Sequence, residues 1–188
     1  CFVCTLPVLA ILLGYSLSKR FTPLCHFWLG ACLGLAPLAA HLAVRGNLEP
    51  LANLGGHWAA SVEWFPLLMG AAVLCWTAGF DLIYACQDHA HDLLDSRVHS
   101  LPKSLGIARA LALSSALHVF AVVLLAGLGL YGRMGFGYYG ALLIIAGLLF
   151  YEHRIVRPND LSRVNVAFFT VNGAVSILIF VAIFLQYH

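Results

Sequence analysis

Long apolar runs separated by short charged segments make up almost the whole chain. They cover residues 1–17, 24–44, 64–87, 107–131, 136–151 and 164–186. A helix that crosses the roughly 30 Å hydrocarbon layer needs about 20 apolar residues, and the weaker alternation of a membrane β-strand is absent. The pattern predicts an all-α transmembrane bundle of six spans in one domain, residues 1–188. Lys19, Arg20 and Pro23 stop the first run, while Pro37 lies inside the second, where a neighbouring helix can satisfy the freed backbone. Residues 45–63 form the longest polar connection. With Gly55-Gly56 and the boundary tryptophans Trp58 and Trp64, it is expected to carry a short surface helix.

The third run differs from the others because it leads directly into polar residues. Asp81, Asp88, Asp92 and Asp95 are four of only eight acidic residues in the chain. On one continuous helix these four and Tyr84 fall within an arc of about 80°, giving an acidic stripe about 20 Å long. Asp88 and Asp92 are i,i+4 neighbours, so both carboxylates could reach one cation.

Composition and charge narrow the reading. With 62% hydrophobic and 10% charged residues the chain is an integral membrane protein. A formal charge of +2, with basic residues spread over loops, excludes nucleic acid as a partner, and no obligate protein partner is inferred. Lys19, Arg20, Arg97, Lys103, Arg109, Arg154, Arg157 and Arg163 fall on the loops beside the acidic stripe, leaving Arg45 and Arg133 opposite. The positive-inside rule therefore places the stripe and its loops on the cytoplasmic side of the cell's inner membrane. The six cysteines lie in or beside apolar runs, where a thiol packs as a small hydrophobe, and Cys1-x-x-Cys4 has no second pair to complete a metal site. The chain opens inside an apolar run without methionine or a basic leader, and it is expected to be a fragment.

Acids at a span boundary are expensive unless solvated or bound to a cation. Their oxygen donors suit Mg²⁺, which takes one or two carboxylates together with substrate phosphates, so a phosphate or diphosphate substrate is expected. His89, His91 and His99 would suit a softer metal, but His89 and His91 point away from the Asp88–Asp92 axis. Tyr15 and Lys19 share a helical face at the end of the first span. Asn172 in the last span and the Glu152-His153-Arg154 group are candidates for lining a polar cavity.

Phe80-Asp81-x-x-Tyr84-Ala85-x-x-Asp88-x-x-x-Asp92, followed by His99-Ser100-Leu-Pro102, resembles the second aspartate-rich motif of the UbiA-type intramembrane aromatic prenyltransferases. Gly14-Tyr15-x-x-x-Lys19-Arg20-Phe-Thr22 resembles that family's tyrosine–lysine motif, and Tyr151 through Asn172 is similar to its last two helices. The resemblance extends over essentially the whole chain. It implies a nine-span fold of which six spans are present here, with the three spans around a first aspartate motif missing, so the fragment alone is expected to be inactive. The stretch Leu-Leu-Asp95-Ser-Arg97-Val departs from the family pattern, which leaves Asp95 and Arg97 without a role implied by it.

The resemblance further implies transfer of a polyprenyl group from an allylic diphosphate to an aromatic acid such as 4-hydroxybenzoate, toward ubiquinone or menaquinone. Asp88 and Asp92 would hold Mg²⁺, Lys19 and Lys103 would contact diphosphate, and Asp81, Tyr84 and Tyr15 would bound the reacting centre. Other acceptors, a naphthoate or haem, stay open. A non-enzymatic cation carrier or channel is the alternative from a different class; it would need acids at mid-membrane depth.

Overall fold

The structure is a computed structural model that describes residues 2–45 and 64–186. The expected surface helix between the second and third spans lies outside the described residues. Among those described there are no strands. Eight α-helices follow one another: α1 (Phe2–Ser18), α2 (Cys25–Arg45), α3 (Trp64–Ala85), α4 (His89–Leu94), α5 (Leu101–Leu105), α6 (Ile107–Tyr131), α7 (Phe136–Ile155) and α8 (Asn172–Phe184). A single π-helical turn, Val166–Val171, runs into α8.

Five of these are long and apolar enough to cross a membrane: α2, α3, α6, α7 and the π turn continuous with α8. In α1 the corresponding apolar stretch is shorter, Leu6–Tyr15. Two expected span ends move. The third span stops at Ala85 instead of residue 87, and α7 continues to Ile155, four residues past the expected end, which brings Glu152, His153 and Arg154 onto the helix.

Helix α3 packs against α2 on one side and α6 on the other. Small residues set how closely. A Cβ on Gly30 would lie 2.5 Å from the Leu74 carbonyl oxygen, and one on Gly34 would lie 2.6 Å from that of Gly70. Gly30-x-x-x-Gly34 thus brings two backbones together, the arrangement that drives helix association where lipid removes the hydrophobic incentive. On the other side a Cβ on Gly79 would meet His118, and Ser114 Oγ donates to the Gly79 carbonyl at 2.6 Å.

Apolar contacts hold the two ends of the bundle. At the end bearing the acidic residues, Ile83, Cys86, Ala110, Leu111, Val156, Val164 and Ala167 form one buried cluster. At the other, Ala72, Leu125, Leu128, Met134, Tyr138, Leu142 and Ala182 form another, and the Tyr138 hydroxyl donates to the Leu125 carbonyl at 2.7 Å. Phe136, Leu143, Phe150, Phe169, Ile177 and Phe180 stay exposed, as expected of faces turned to lipid.

Candidate active site

The site begins where α3 ends. Cys86, Gln87, Asp88 and His89 each donate a backbone N–H to the carbonyl three residues back, at 3.0–3.4 Å, before Asp92 N returns to the four-residue pattern with Asp88 O at 2.8 Å. Each such residue adds about 20° of rotation relative to an α-helix. This corrects the expectation of one continuous acidic stripe: the helix overwinds, breaks and restarts as α4, and the four acids turn to four different surroundings.

Asp81, buried near the end of α3, accepts from His26 Nδ1 of α2 at 2.6 Å. The Tyr15 phenol of α1 is within electrostatic reach of that carboxylate. Asp88 is exposed and has no side-chain partner among the described residues. Asp92 is 4% exposed, and its Oδ2 accepts from Ser100 Oγ at 2.8 Å. Asp95 is joined by Arg97, whose Nε and Nη2 donate to its two oxygens at 3.2 and 3.3 Å. These hydrogen bonds hold the Asp95 carboxyl below the usual carboxylate range.

The loop after α4 is built around the same residues. Ser100 caps α5 by accepting from Lys103 N at 3.3 Å while donating to Asp92, so one hydroxyl ties cap and carboxylate together. The Lys103 ammonium donates to the carbonyls of Asp95 and Val98, both at 2.8 Å. Lys103, expected to meet diphosphate, is therefore occupied as a clamp on the loop. His99 N donates to the Lys19 carbonyl at 2.7 Å, which fastens the loop to the end of α1 and brings the half-buried Lys19 to the acidic end. The basic residues of the other loops collect there too: Arg109 adjoins Ala110, while Arg157 and Arg163 adjoin Val156 and Val164, all in the apolar cluster around Ile83. Arg133, at positive φ in the turn between α6 and α7, sits beside Met134 at the opposite end.

Asn172 belongs to a second polar group inside the bundle. Its Oδ1 accepts from Trp76 Nε1 at 2.8 Å, and its Nδ2 lies within 3.3 Å of Glu152 Oε1 and 3.2 Å of the Ala167 and Phe168 carbonyls. The π turn spaces those carbonyls so that one amide can reach both. Glu152 Oε2 lies 3.5 Å from His118 Nδ1, which is 3.0 Å from His153 Nε2. Toward α3 an aromatic row extends from this group: Trp76 to Phe80 at 5.5 Å, Phe80 to Phe168 at 5.3 Å and Phe168 to Tyr84 at 4.5 Å between centroids.

The expected residues thus separate. Asp88, Asp92 and the clamp Lys103 follow the end of α3, and the Lys19 carbonyl is fastened to the same loop; Asp81 and Tyr15 lie just inside; Tyr84 belongs to the aromatic row; Asn172 stands among the interior polar residues. His26 and Phe168 were not picked out from sequence, and Ser100 was named only within the His99-Ser100-Leu-Pro102 stretch, without a role. A polar side chain early in an apolar run was the available signal for His26. His91 and His99 are exposed, and no group of three metal-binding side chains gathers among the described residues. Two grooves are lined by none of Asp81, Asp88, Asp92 and Asp95: one of about 580 Å³ is lined by Arg154, Arg157, Asp160 and Arg163, and the other, of about 420 Å³, lies between α6 and α7 past His118 and His153.

Long apolar helices whose acids concentrate at one end define an integral multi-pass membrane protein. The chain belongs to the UbiA prenyltransferase family, which is matched over residues 1–184. It is 27% identical over 183 residues to a 4-hydroxybenzoate octaprenyltransferase of Nitrosomonas eutropha, a match covering 97% of this chain and 58% of the relative. Over 86 residues it is 36% identical to the mitochondrial 4-hydroxybenzoate polyprenyltransferase of Caenorhabditis elegans, covering 46% of this chain and 20% of that one. The apo structure of a UbiA homolog from Aeropyrum pernix K1 superposes with a TM-score of 0.77 at 35% identity, covering 96% of this chain and 62% of that one. The chain spans little more than half the length of the full-coverage curated relatives.

Proposed function

We propose that these helices form part of a Mg²⁺-dependent prenyltransferase that moves a polyprenyl group from an allylic diphosphate to an aromatic acid of the 4-hydroxybenzoate type, in the synthesis of ubiquinone or menaquinone. The observation that carries the reading is an open Asp88 one helical turn before an Asp92 held by Ser100, in a loop region that is fastened through His99 N to the Lys19 carbonyl. The names of the relatives supply the acceptor.

The donor chemistry fits magnesium held jointly with substrate. Asp88 has both oxygens uncommitted and Asp92 keeps Oδ1, which is the one or two carboxylates such an ion takes when phosphates complete its shell. When bound, the ion would neutralise charge on the diphosphate. Lys19 would add a cation to the same group; Lys103 holds the loop from which Asp92 and Ser100 act. As the allylic C–O bond breaks, diphosphate leaves and positive charge grows on the prenyl carbon. The faces of Tyr84, Phe80 and Phe168 supply the quadrupoles that attract such charge. The aromatic carbon then bonds to the prenyl carbon and the ring loses a proton, for which the Asp81 carboxylate near Tyr15 is the candidate acceptor. Apolar helix faces would hold the isoprenoid tail and keep water from the cation.

Because the acids sit at one end of α3 and not along a path through the bundle, the structure gives no support to a cation carrier. The loops bearing Lys19, Asp88 and Arg157 are assigned to the cytoplasmic side of the inner membrane. The test is a membrane assay of the full-length protein with magnesium, a polyprenyl diphosphate and 4-hydroxybenzoate, with naphthoate-type acids and haem as competing acceptors. Magnesium-dependent prenylated 4-hydroxybenzoate is the expected product; prenylated haem or naphthoate alone would overturn the acceptor, and no prenyl transfer to any would overturn the class.

A further inference from the structure

His26 lies outside every motif described above, yet it makes the shortest side-chain contact that Asp81 has. Its ring is fully buried, 0% exposed, and Nδ1 is 2.6 Å from Asp81 Oδ2, a pair joined across 55 residues of chain. Two helices hold the geometry. One turn beyond His26 on α2, Gly30 lies against the Leu74 carbonyl of α3, so the two backbones pack in close contact beside the pair. Ala78 and Leu82, each 0% exposed, fix the α3 turn around Asp81. His26 Nε2 is buried without a hydrogen-bond partner, so the ring's one tie to α3 is through Nδ1. Asp81 keeps Oδ1 uncommitted, and its side chain retains 13% exposure.

We propose that His26 is a positioning residue: it binds Oδ2 of Asp81 and thereby aims Oδ1 at the reacting centre. The inference rests on the prenyl-transfer reading, in which Asp81 faces the acceptor. A buried carboxylate with a single fixed partner has one orientation; without it the group rotates or recruits water, and misplacement of a reacting group by about 1 Å costs on the order of 100-fold in rate. A buried polar pair also serves to hold helices together, so the variants must separate the two roles.

In the full-length protein, His26→Leu should lower kcat by about 10- to 100-fold, the range seen when an orienting partner is lost, with KM for the prenyl diphosphate within about twofold. His26→Asn, whose amide nitrogen stands where Nδ1 stood, should recover about tenfold of that loss at the same melting temperature. In an Asp81→Asn background His26→Leu should lower kcat no further. Should His26→Leu fail to fold, His26→Asn against His26→Ser carries the comparison, with Asn expected to be faster. Nitrogen NMR of labelled histidine supplies a readout apart from activity: the strongly hydrogen-bonded Nδ1 signal of His26 should disappear in Asp81→Asn. Full kcat in a folded His26→Leu protein, equal rates for Asn and Ser, or an unchanged Nδ1 signal would overturn the positioning role. Full activity in Asp81→Asn would instead remove Asp81 from the prenyl-transfer reading.

Discussion

Two polar groups are set into this apolar bundle, and they differ in how far their atoms are used up. The interior group, Trp76, His118, Glu152, His153 and Asn172, ties α3, α6, α7 and the π turn together, and Asn172 alone engages four partners. The group at the end of α3 shares out its acids singly: Asp81 to His26, Asp92 to Ser100, Asp95 to Arg97, with Asp88 left open. Buried polar atoms cost free energy unless paired, so a nearly closed network holds structure, and an open carboxylate beside a fixed one is available to a ligand. Under the proposed function, similar residues serve as scaffold in one place and as chemistry in the other.

The sharpest way to break this comparison is to remove charge while keeping shape. Asp92→Asn retains an oxygen for Ser100, and Asp88→Asn touches no partner, so neither should lower the melting temperature. Each should lower turnover of the full-length protein by at least about 100-fold, the scale of losing a main electrostatic contributor to a transition state. Wild-type turnover in both would put the open pair on the structural side of the comparison. The next effect lies in the scaffold. Gly70→Val would drive a side chain into the Gly34 carbonyl oxygen, 2.6 Å from the Cβ position, and into Leu38; equilibrium denaturation in mild detergent should show a loss of about 3 kcal/mol.

Asn172→Leu strips partners from Trp76 Nε1 and Glu152 Oε1 together. A loss of about 2 kcal/mol is expected, as for a buried group left unsatisfied, with the residual protein keeping its magnesium dependence. Loss of magnesium dependence there would erase the distinction between the two groups. The smallest effect belongs to Asp95. Arg97 depresses its carboxyl, so whatever the pair contributes to stability is present above the ordinary carboxylate value of about 4 and is lost as pH falls through the lower folded value. Because both groups face water, Asp95→Asn should change turnover less than twofold and leave the melting temperature unaltered at pH 7.

The bundle could be read from sequence because a spanning helix needs a long apolar run, and five such runs reappear as helices. The gathering of basic loops at the acidic end was legible for the same reason, through their alternation along the chain. The arrangement of the acids was not. Whether α3 continues past Ala85 depends on the run of three-residue hydrogen bonds and on a loop fastened to Lys19, contacts that helical periodicity does not register. The pairing of His26 with Asp81 depends on α2 and α3 approaching at Gly30 and Gly34, a contact between two helices that the apolar pattern of either run alone does not register. Nor did the sequence show that the Lys103 ammonium donates to the Asp95 and Val98 carbonyls, contacts set by the fold of the loop.

The most direct test of the division between the two groups is manganese, used as a magnesium surrogate, titrated into the full-length protein with a polyprenyl diphosphate and followed by electron paramagnetic resonance. The wild-type protein and Asn172→Leu should bind the ion alike, while Asp88→Asn and Asp92→Asn should each weaken it by at least about tenfold, as expected when a carboxylate ligand is lost. Unchanged affinity in both aspartate variants would contradict the account.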